Sequence, residues 1–362
     1  MLVFGHFLHH CIFFLRRVAS SHIAMSLVAV LFISISLTSG AQAETWFYTD
    51  RPNDEEAATS SIDDNETNNN MAYADITFSA GLAQREAKLR WNIASNKAGD
   101  KTPNILSELT FTDLLFTETH GRINAKINKG FLRDFSIEAS FKIGTTNQGN
   151  VIDSDYNGDN RTQEYSRSHS NPEGSTSLDG KLLLGYPIQL NDRVSMTPLI
   201  GYNYSRQKIK MQEGFQVLDT RVSSFTPHAF TSVLDSSYET QWNSAVLALD
   251  TVYQGKMHQF GLRLEFFYID YYAEANWNLR TDFAHPKSFA HWALGVGGNI
   301  EFNYQLNITP RFALWASYRY ENWQTFEGDD VVYFANGDTA GTQLNEVVWE
   351  SSSAAAGLAF SF

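Results

Sequence analysis

Hydrophobicity alternates with a period of two along most of the chain after residue 71, and this limits the fold more than any other feature. In "RFALWASYRYE", Phe312, Leu314, Ala316, Tyr318 and Tyr320 fall on one face. Arg311, Ala313, Ser317, Arg319 and Glu321 fall on the other, with Trp315 among them. "QFGLRLEFFY" sets Phe260, Leu262, Leu264, Phe266 and Tyr268 against Gln259, Gly261, Arg263 and Glu265. "FSIEASFKIG" sets Phe135, Ile137, Ala139, Phe141 and Ile143 against Ser136, Glu138, Ser140 and Lys142. A helix repeats every ~3.6 residues and mixes these sets, whereas a strand sends successive side chains to opposite faces. The chain is expected to be all-β.

The connections then choose among β folds. "LNDR", "YQGKM" and "NITPR" are tight turns, while long polar segments surround 146–175, 211–237, 277–290 and 327–345. Short turns on one side and long loops on the other are the layout of a transmembrane, antiparallel, up-and-down β-barrel of an outer membrane. Its apolar face meets lipid, its polar face lines the lumen, and closure satisfies the backbone. About ten strands are expected, at 72–92, 105–127, 132–146, 176–190, 193–211, 238–254, 257–276, 290–306, 309–326 and 345–362. The second could hide a break near His120–Gly121. A barrel of eight strands is filled by side chains and water-filled porins need ~16, so ten imply a filled interior. Glu265, Arg263, Arg319, Glu321 and Lys142 are expected to form ion pairs there. The last segment, "SSSAAAGLAFSF", puts Leu358, Phe360 and Phe362 on one face, which resembles the assembly signal of bacterial outer-membrane barrels.

The N-terminal region reads as an export signal. Arg16 and Arg17 precede the apolar run "IAMSLVAVLFISISL", and Ala41 and Ala43 fit a signal-peptidase site. Residues 1–43 are thus expected to be a signal peptide, 44–71 a polar disordered leader in the periplasm, and 72–362 the barrel. Cleavage after Ala43 would remove Cys11, the one cysteine, and with it any thiol chemistry. The net charge of -13 offers no basic surface for nucleic acid. The expected surroundings are outer-membrane lipid and lipopolysaccharide of a Gram-negative bacterium, with long loops extracellular and both termini periplasmic.

Chemistry concentrates in "VIDSDYNGDNRTQE", for which three readings stand side by side. Asp153, Asp155, Asn157, Gly158, Asp159 and Glu164 match the spacing of an EF-hand calcium loop, although Asn160 and Arg161 do not suit it and neither flank reads as a helix. Asp153 and Asp155, two apart in an extended segment, could instead turn both carboxylates to one side, where crowding would raise one pKa. A plain solvated loop is the third reading. His228, His258 and His291 show no metal-ligand spacing, and the glycines of "GVGGNI" are read as relief of crowding within a strand.

The layout resembles the omptins, ten-stranded outer-membrane proteases, together with their porin-like relatives of the same fold. "GNVIDSDYN" looks like the Asp-x-Asp segment of the family's second surface loop, and "LNDRVSMTPLIGYNYSR", "ITPRFALWASYRYENW" and "AAGLAFSF" resemble the turn and strands around it. The resemblance implies that Asp153 and Asp155 face an Asp–His pair across the barrel mouth and that a water between them attacks a peptide near basic residues. In "NWNLRTDFAHPKSF" that pair would be Asp282 and His285, spaced Asp-x-x-His where the family has Asp-x-His. Two functions are therefore expected: an omptin-like surface endopeptidase acting on a peptide at the extracellular mouth, or a non-enzymatic barrel, either a narrow porin-like channel or a surface protein. No cofactor is required, apart from calcium in the 153–164 reading.

Overall fold

The computed structural model describes residues 72–362. The expected export signal, its cleavage after Ala43, Cys11 and the leader of 44–71 lie outside the described residues. The strands run in order β1 (Ala74–Ile93), β2 (Ser107–Ile127), β3 (Ser136–Thr146), β4 (Asn150–Gly158), β5 (Thr162–Asn171), β6 (Thr176–Gly185), β7 (Ile188–Asn191) and β8 (Val194–Asp219). There follow β9 (His228–Ala229), β10 (Asp235–Gln254), β11 (His258–Asn276), β12 (Phe289–Thr309), β13 (Phe312–Thr325), β14 (Gly328–Tyr333) and β15 (Thr339–Ser361).

Strands β1, β2, β3, β6, β8, β10, β11, β12, β13 and β15 form the wall, each antiparallel to its neighbours. Strand β1 pairs with both β2 and β15, so the sheet closes into a ring of ten and leaves no edge. All ten expected strands are present. Strand β2 runs unbroken through His120–Gly121, where the ring of Phe141 lies against Gly121 in the space a Cβ would take. The irregularity in β2 sits higher, at Asp113, whose φ of 55° accompanies a register shift against β1.

The alternation seen in the sequence becomes an outside and an inside. Ile76, Phe78, Leu82, Leu247, Leu264, Phe302, Leu314 and Leu358 are exposed on the outer surface. The alternate positions point inward and are stacked in levels. A cavity of about 350 Å³ runs from Thr197 and Asn303 near the short-turn end in among Glu138, Arg263, Arg319 and Glu321. The charged residues around it form an ionic girdle. Arg263 donates to Glu138 at 2.6 and 2.7 Å and to Asp250 at 2.6 Å. Lys181 Nζ lies 2.6 Å from Glu265 Oε2, and Arg85 Nη2 lies 2.6 Å from Glu118. Arg319 joins Glu301, Glu265 and Glu321, and Lys142 stands 3.8 Å from Glu321. The lumen ion pairs expected from the sequence are therefore formed.

Above the girdle the lumen turns apolar, which the sequence had not announced. Trp91, Phe111, Phe116, Tyr238, Trp242, Phe267, Tyr271, Phe289, Trp323 and Trp349 pack into one buried cluster. Trp242 lies against Tyr271 and Trp323, with ring centroids 4.4 and 5.6 Å apart. Gly297 makes room for the Trp323 indole, whose Cδ1 lies 2.4 Å from where a Cβ would be. Of the glycines of "GVGGNI", Gly295 and Gly297 thus relieve crowding within a strand, as expected, whereas Gly298 has no such close neighbour. Each such buried aromatic contributes ~2–3 kcal/mol by removing its surface from water. The plug closes the lumen above the cavity that the girdle lines.

Candidate functional site

The wall continues beyond the plug as a hairpin, β4–β5, folded from what reads in sequence as a polar loop. Strand β4 pairs with β2 so that Val151 faces Phe111, Asp153 faces Leu109 and Asp155 faces Ser107. Val151 belongs to the plug. Side chains two apart on a strand share a face, so Asp153 and Asp155 stand directly above the plug, turned into the mouth. Both are half-buried. Burial and then the neighbouring charge of Asp155 push the Asp153 carboxyl up to about 8. Burial also raises Asp155, against the opposing hydrogen bond of Ser107 and the charges of Arg221 and Arg280. The two acids cannot both ionise freely at neutral pH. This crowding of two carboxylates is what the spacing implied.

The rest of the mouth comes from other loops. Across the hairpin, Asp155 pairs with Ser166 on β5, and Ser166 pairs with Asp219 at the end of β8. Arg221 binds Asp219 through Nε at 2.8 Å and Nη2 at 2.9 Å, with its guanidinium 5.1 Å from the Tyr165 ring. In the loop between β11 and β12, Arg280 binds Asp282 in the same fork, at 2.9 and 2.8 Å, and stacks 4.0 Å from the Phe283 ring. The charge of Arg280 acts on both Asp153 and Asp155. Among the described residues neither of these aspartates is in an ion pair.

Here the structure corrects one expectation. Asp282 and His285 do not meet. Asp282 is committed to Arg280, which offers a charge and a bidentate fork two residues away. His285 Nδ1 lies 2.8 Å from Asn276 Oδ1, and Nε2 lies 3.2 Å from the Arg280 carbonyl. Both ring nitrogens are occupied, and both residues are exposed on the rim. Of the four residues singled out, Asp153 and Asp155 come together, whereas Asp282 and His285 do not.

The calcium wrap does not form either. Asp159, Asn160 and Arg161 make the hairpin turn, with φ of 55° at Asn160 and 63° at Arg161, so the segment doubles back as two strands. Asp159 accepts from the Asn104 backbone N–H at 2.8 Å and from Thr102 Oγ1 at 3.0 Å. Glu164 is held by Arg167, with Nε at 2.8 Å. The oxygens an EF-hand would converge on one ion point in three directions. Among the described residues no group of three or more His, Cys, Asp or Glu is placed to hold a metal.

A histidine–carboxylate couple does exist, in a place sequence spacing gave no reason to look. His291 on β12 lies with Nε2 3.2 Å from Asp330 on β14, and both are fully buried. Its Nδ1 meets the Tyr238 hydroxyl at 2.8 Å, which in turn meets Tyr271 at 2.7 Å, and Thr342 donates to Asp330 at 2.8 Å. Trp91 packs edge-on to His291 at 4.9 Å. This chain of polar groups ties the β14–β15 extension to the wall inside the plug, where neither solvent nor substrate reaches.

Comparison with known proteins agrees with this architecture. The model of one family, described as Protochlamydia outer membrane protein, matches residues 77–362. No curated protein sequence matches the chain. Among solved structures, the outer membrane protease OmpT from Escherichia coli superposes with a TM-score of 0.62 at 13% identity, covering 80% of this chain and 97% of that one. That likeness is one of fold. The translocator domain of the autotransporter NalP from Neisseria meningitidis gives 0.33 at 10% identity, covering 82% and 90% of the two chains. The outer membrane protein OprG from Pseudomonas aeruginosa gives 0.30 at 11%, covering 80% and 95%.

Proposed function

The chain belongs to the Protochlamydia outer membrane protein family, and we propose that it is a surface barrel whose mouth binds cationic side chains of peptides while its lumen stays closed to solutes. The long-loop end faces outward and the short-turn end the periplasm, as loop lengths in such barrels go. The observation that carries the reading is the pair Asp153–Asp155, turned into the mouth above the aromatic plug and without an ion-pair partner of its own. A carboxylate pair in partly desolvated surroundings attracts a guanidinium or ammonium far more strongly than one in bulk water. The neighbouring Arg221–Asp219 and Arg280–Asp282 couples are each satisfied internally, and neither neutralises the acid pair.

Peptide hydrolysis is the weaker reading. It needs a histidine facing the acid pair, whereas His285 is turned to Asn276 and His291 is sealed in the plug. A channel is weaker still, because the buried aromatic plug crosses the lumen above the girdle.

The test is the affinity of a fluorescent peptide carrying two adjacent arginines for the refolded barrel, beside the Asp153→Asn/Asp155→Asn variant. Binding by the wild type, lost in the variant, with the peptide recovered intact, is expected. Cleaved peptide would return the protein to the endopeptidase reading. Equal binding by both proteins would remove the acid pair from the site. In planar bilayers the wild type is expected to show no steady conductance.

A further inference from the structure

The two arginines at the mouth are built alike. Each is bound by an aspartate of its own loop two residues away, through the Nε and Nη2 edge, and each lies over an aromatic ring. Both charges reach the acid pair, that of Arg221 acting on Asp155 and that of Arg280 on Asp153 and Asp155. A flexible arginine beside two unpaired carboxylates would ordinarily close on them, as Arg263 closes on Glu138 and Asp250 in the girdle. At the mouth this has not happened.

We propose that Asp282 is a positioning residue that holds Arg280 off Asp153 and Asp155, so that the acid pair stays open to a guanidinium supplied by a ligand, and that Asp219 does the same for Arg221. The inference rests on the reading of the mouth as a cation cleft and adds a specificity device to it. Arg280 is the chain's own competitor for the seat. Asp282 offers it a bidentate acceptor next to its own backbone, and the Phe283 face lies against its plane. A ligand guanidinium has no such local partner and goes to the pair. Because the Arg280–Asp282 couple is exposed, salt screens it, and the device works best at low ionic strength. Asp282 thus acts on binding through Arg280 and touches no ligand itself.

The test is a double-mutant cycle read with the same diarginine peptide at low salt. Asp282→Asn frees Arg280 and is expected to weaken binding about tenfold, equivalent to ~1.4 kcal/mol. Arg280→Gln is expected to bind at least as well as the wild type. The combined variant is expected to bind like Arg280→Gln alone, because Asp282 has nothing left to hold. A plain charge effect would instead be additive, with Asp282→Asn weakening binding as much in the Arg280→Gln background as in the wild type, which would overturn the inference. So would an Asp282→Asn variant that binds like the wild type while Asp153→Asn/Asp155→Asn does not; that pattern leaves the cleft reading standing. Failure of both the wild type and Arg280→Gln to bind would overturn the cleft reading and the inference together. Both substituted side chains are exposed, so all variants are expected to fold as the wild type does, checked by their heat-modifiable mobility on gels.

Discussion

The girdle and the mouth use the same residue types in opposite ways. In the girdle, Arg263 reaches Glu138, a partner 125 residues away, and Arg85 reaches Asp179, 94 residues away. Those pairs close the barrel across its diameter and leave no carboxylate to spare. In the mouth, Arg280 and Arg221 bind aspartates only two residues away, and the acids that face the centre stay unpaired. Long-range pairing consumes charge to define the fold. Local pairing parks charge and leaves a neighbouring group available. The long-range pairs build the barrel interior, and the local pairs at the mouth leave Asp153 and Asp155 open, as the proposed cation seat requires.

The comparison breaks first if the girdle proves expendable. Arg263→Leu leaves Asp250 without its ion-pair partner and Glu138 with only Arg122 at 3.7 Å, and is expected to destabilise the barrel by ~3–5 kcal/mol in urea titrations in detergent. A change below ~1 kcal/mol would mean that water relieves those acids and that the girdle is not a fixed layer. A comparable loss, ~3–5 kcal/mol, is expected for Trp242→Ala in the plug, which deletes a fully buried indole.

Mouth substitutions sharpen the contrast by leaving stability alone. Asp153→Asn/Asp155→Asn is expected to reduce affinity for the diarginine peptide ~10–100-fold, since a charge-assisted pair contributes ~1.5–3 kcal/mol. The same change should not lower the unfolding midpoint, because it removes two crowded carboxylates and breaks no ion pair. The smallest effect belongs to His285→Ala. Its exposed ring is expected to matter by less than ~0.5 kcal/mol to stability, with peptide affinity unchanged. A large loss of peptide affinity there would revive the Asp282–His285 assignment.

What could be read from the sequence follows the same division. The ten wall strands were legible because lipid on one side and a polar lumen on the other impose a strict alternation, as along Phe312–Glu321. The hairpin β4–β5 and the upper turn of β8 were not, since beyond the lipid both faces of a strand meet polar surroundings and alternation fades. The plug was missed for the converse reason. Leu114, Phe116 and Trp91 point inward, where a polar residue was anticipated, and on sequence alone an inward apolar residue looks like an outward one. Asp153–Asp155 was legible as a pair because two residues along a strand fix a common side. Asp282 was legible as an acid but its partner was not, because Arg280 and His285 both lay within reach and only the folded loop decides between them. His291 and Asp330 sit on different strands and carry no local signature at all.

The most direct measurement is the affinity of the diarginine peptide for the wild-type barrel as a function of pH. Asp153 is raised to about 8, so below that pH the pair retains a proton, and only the ionised form offers its full charge to a guanidinium. The peptide keeps its charge throughout. Affinity is therefore expected to rise between roughly pH 6.5 and 9 and then level off, while Asp153→Asn/Asp155→Asn stays weak and flat over the same range. An affinity independent of pH in the wild type, or a rise that survives in the variant, would contradict the account of the mouth as a seat for a cation.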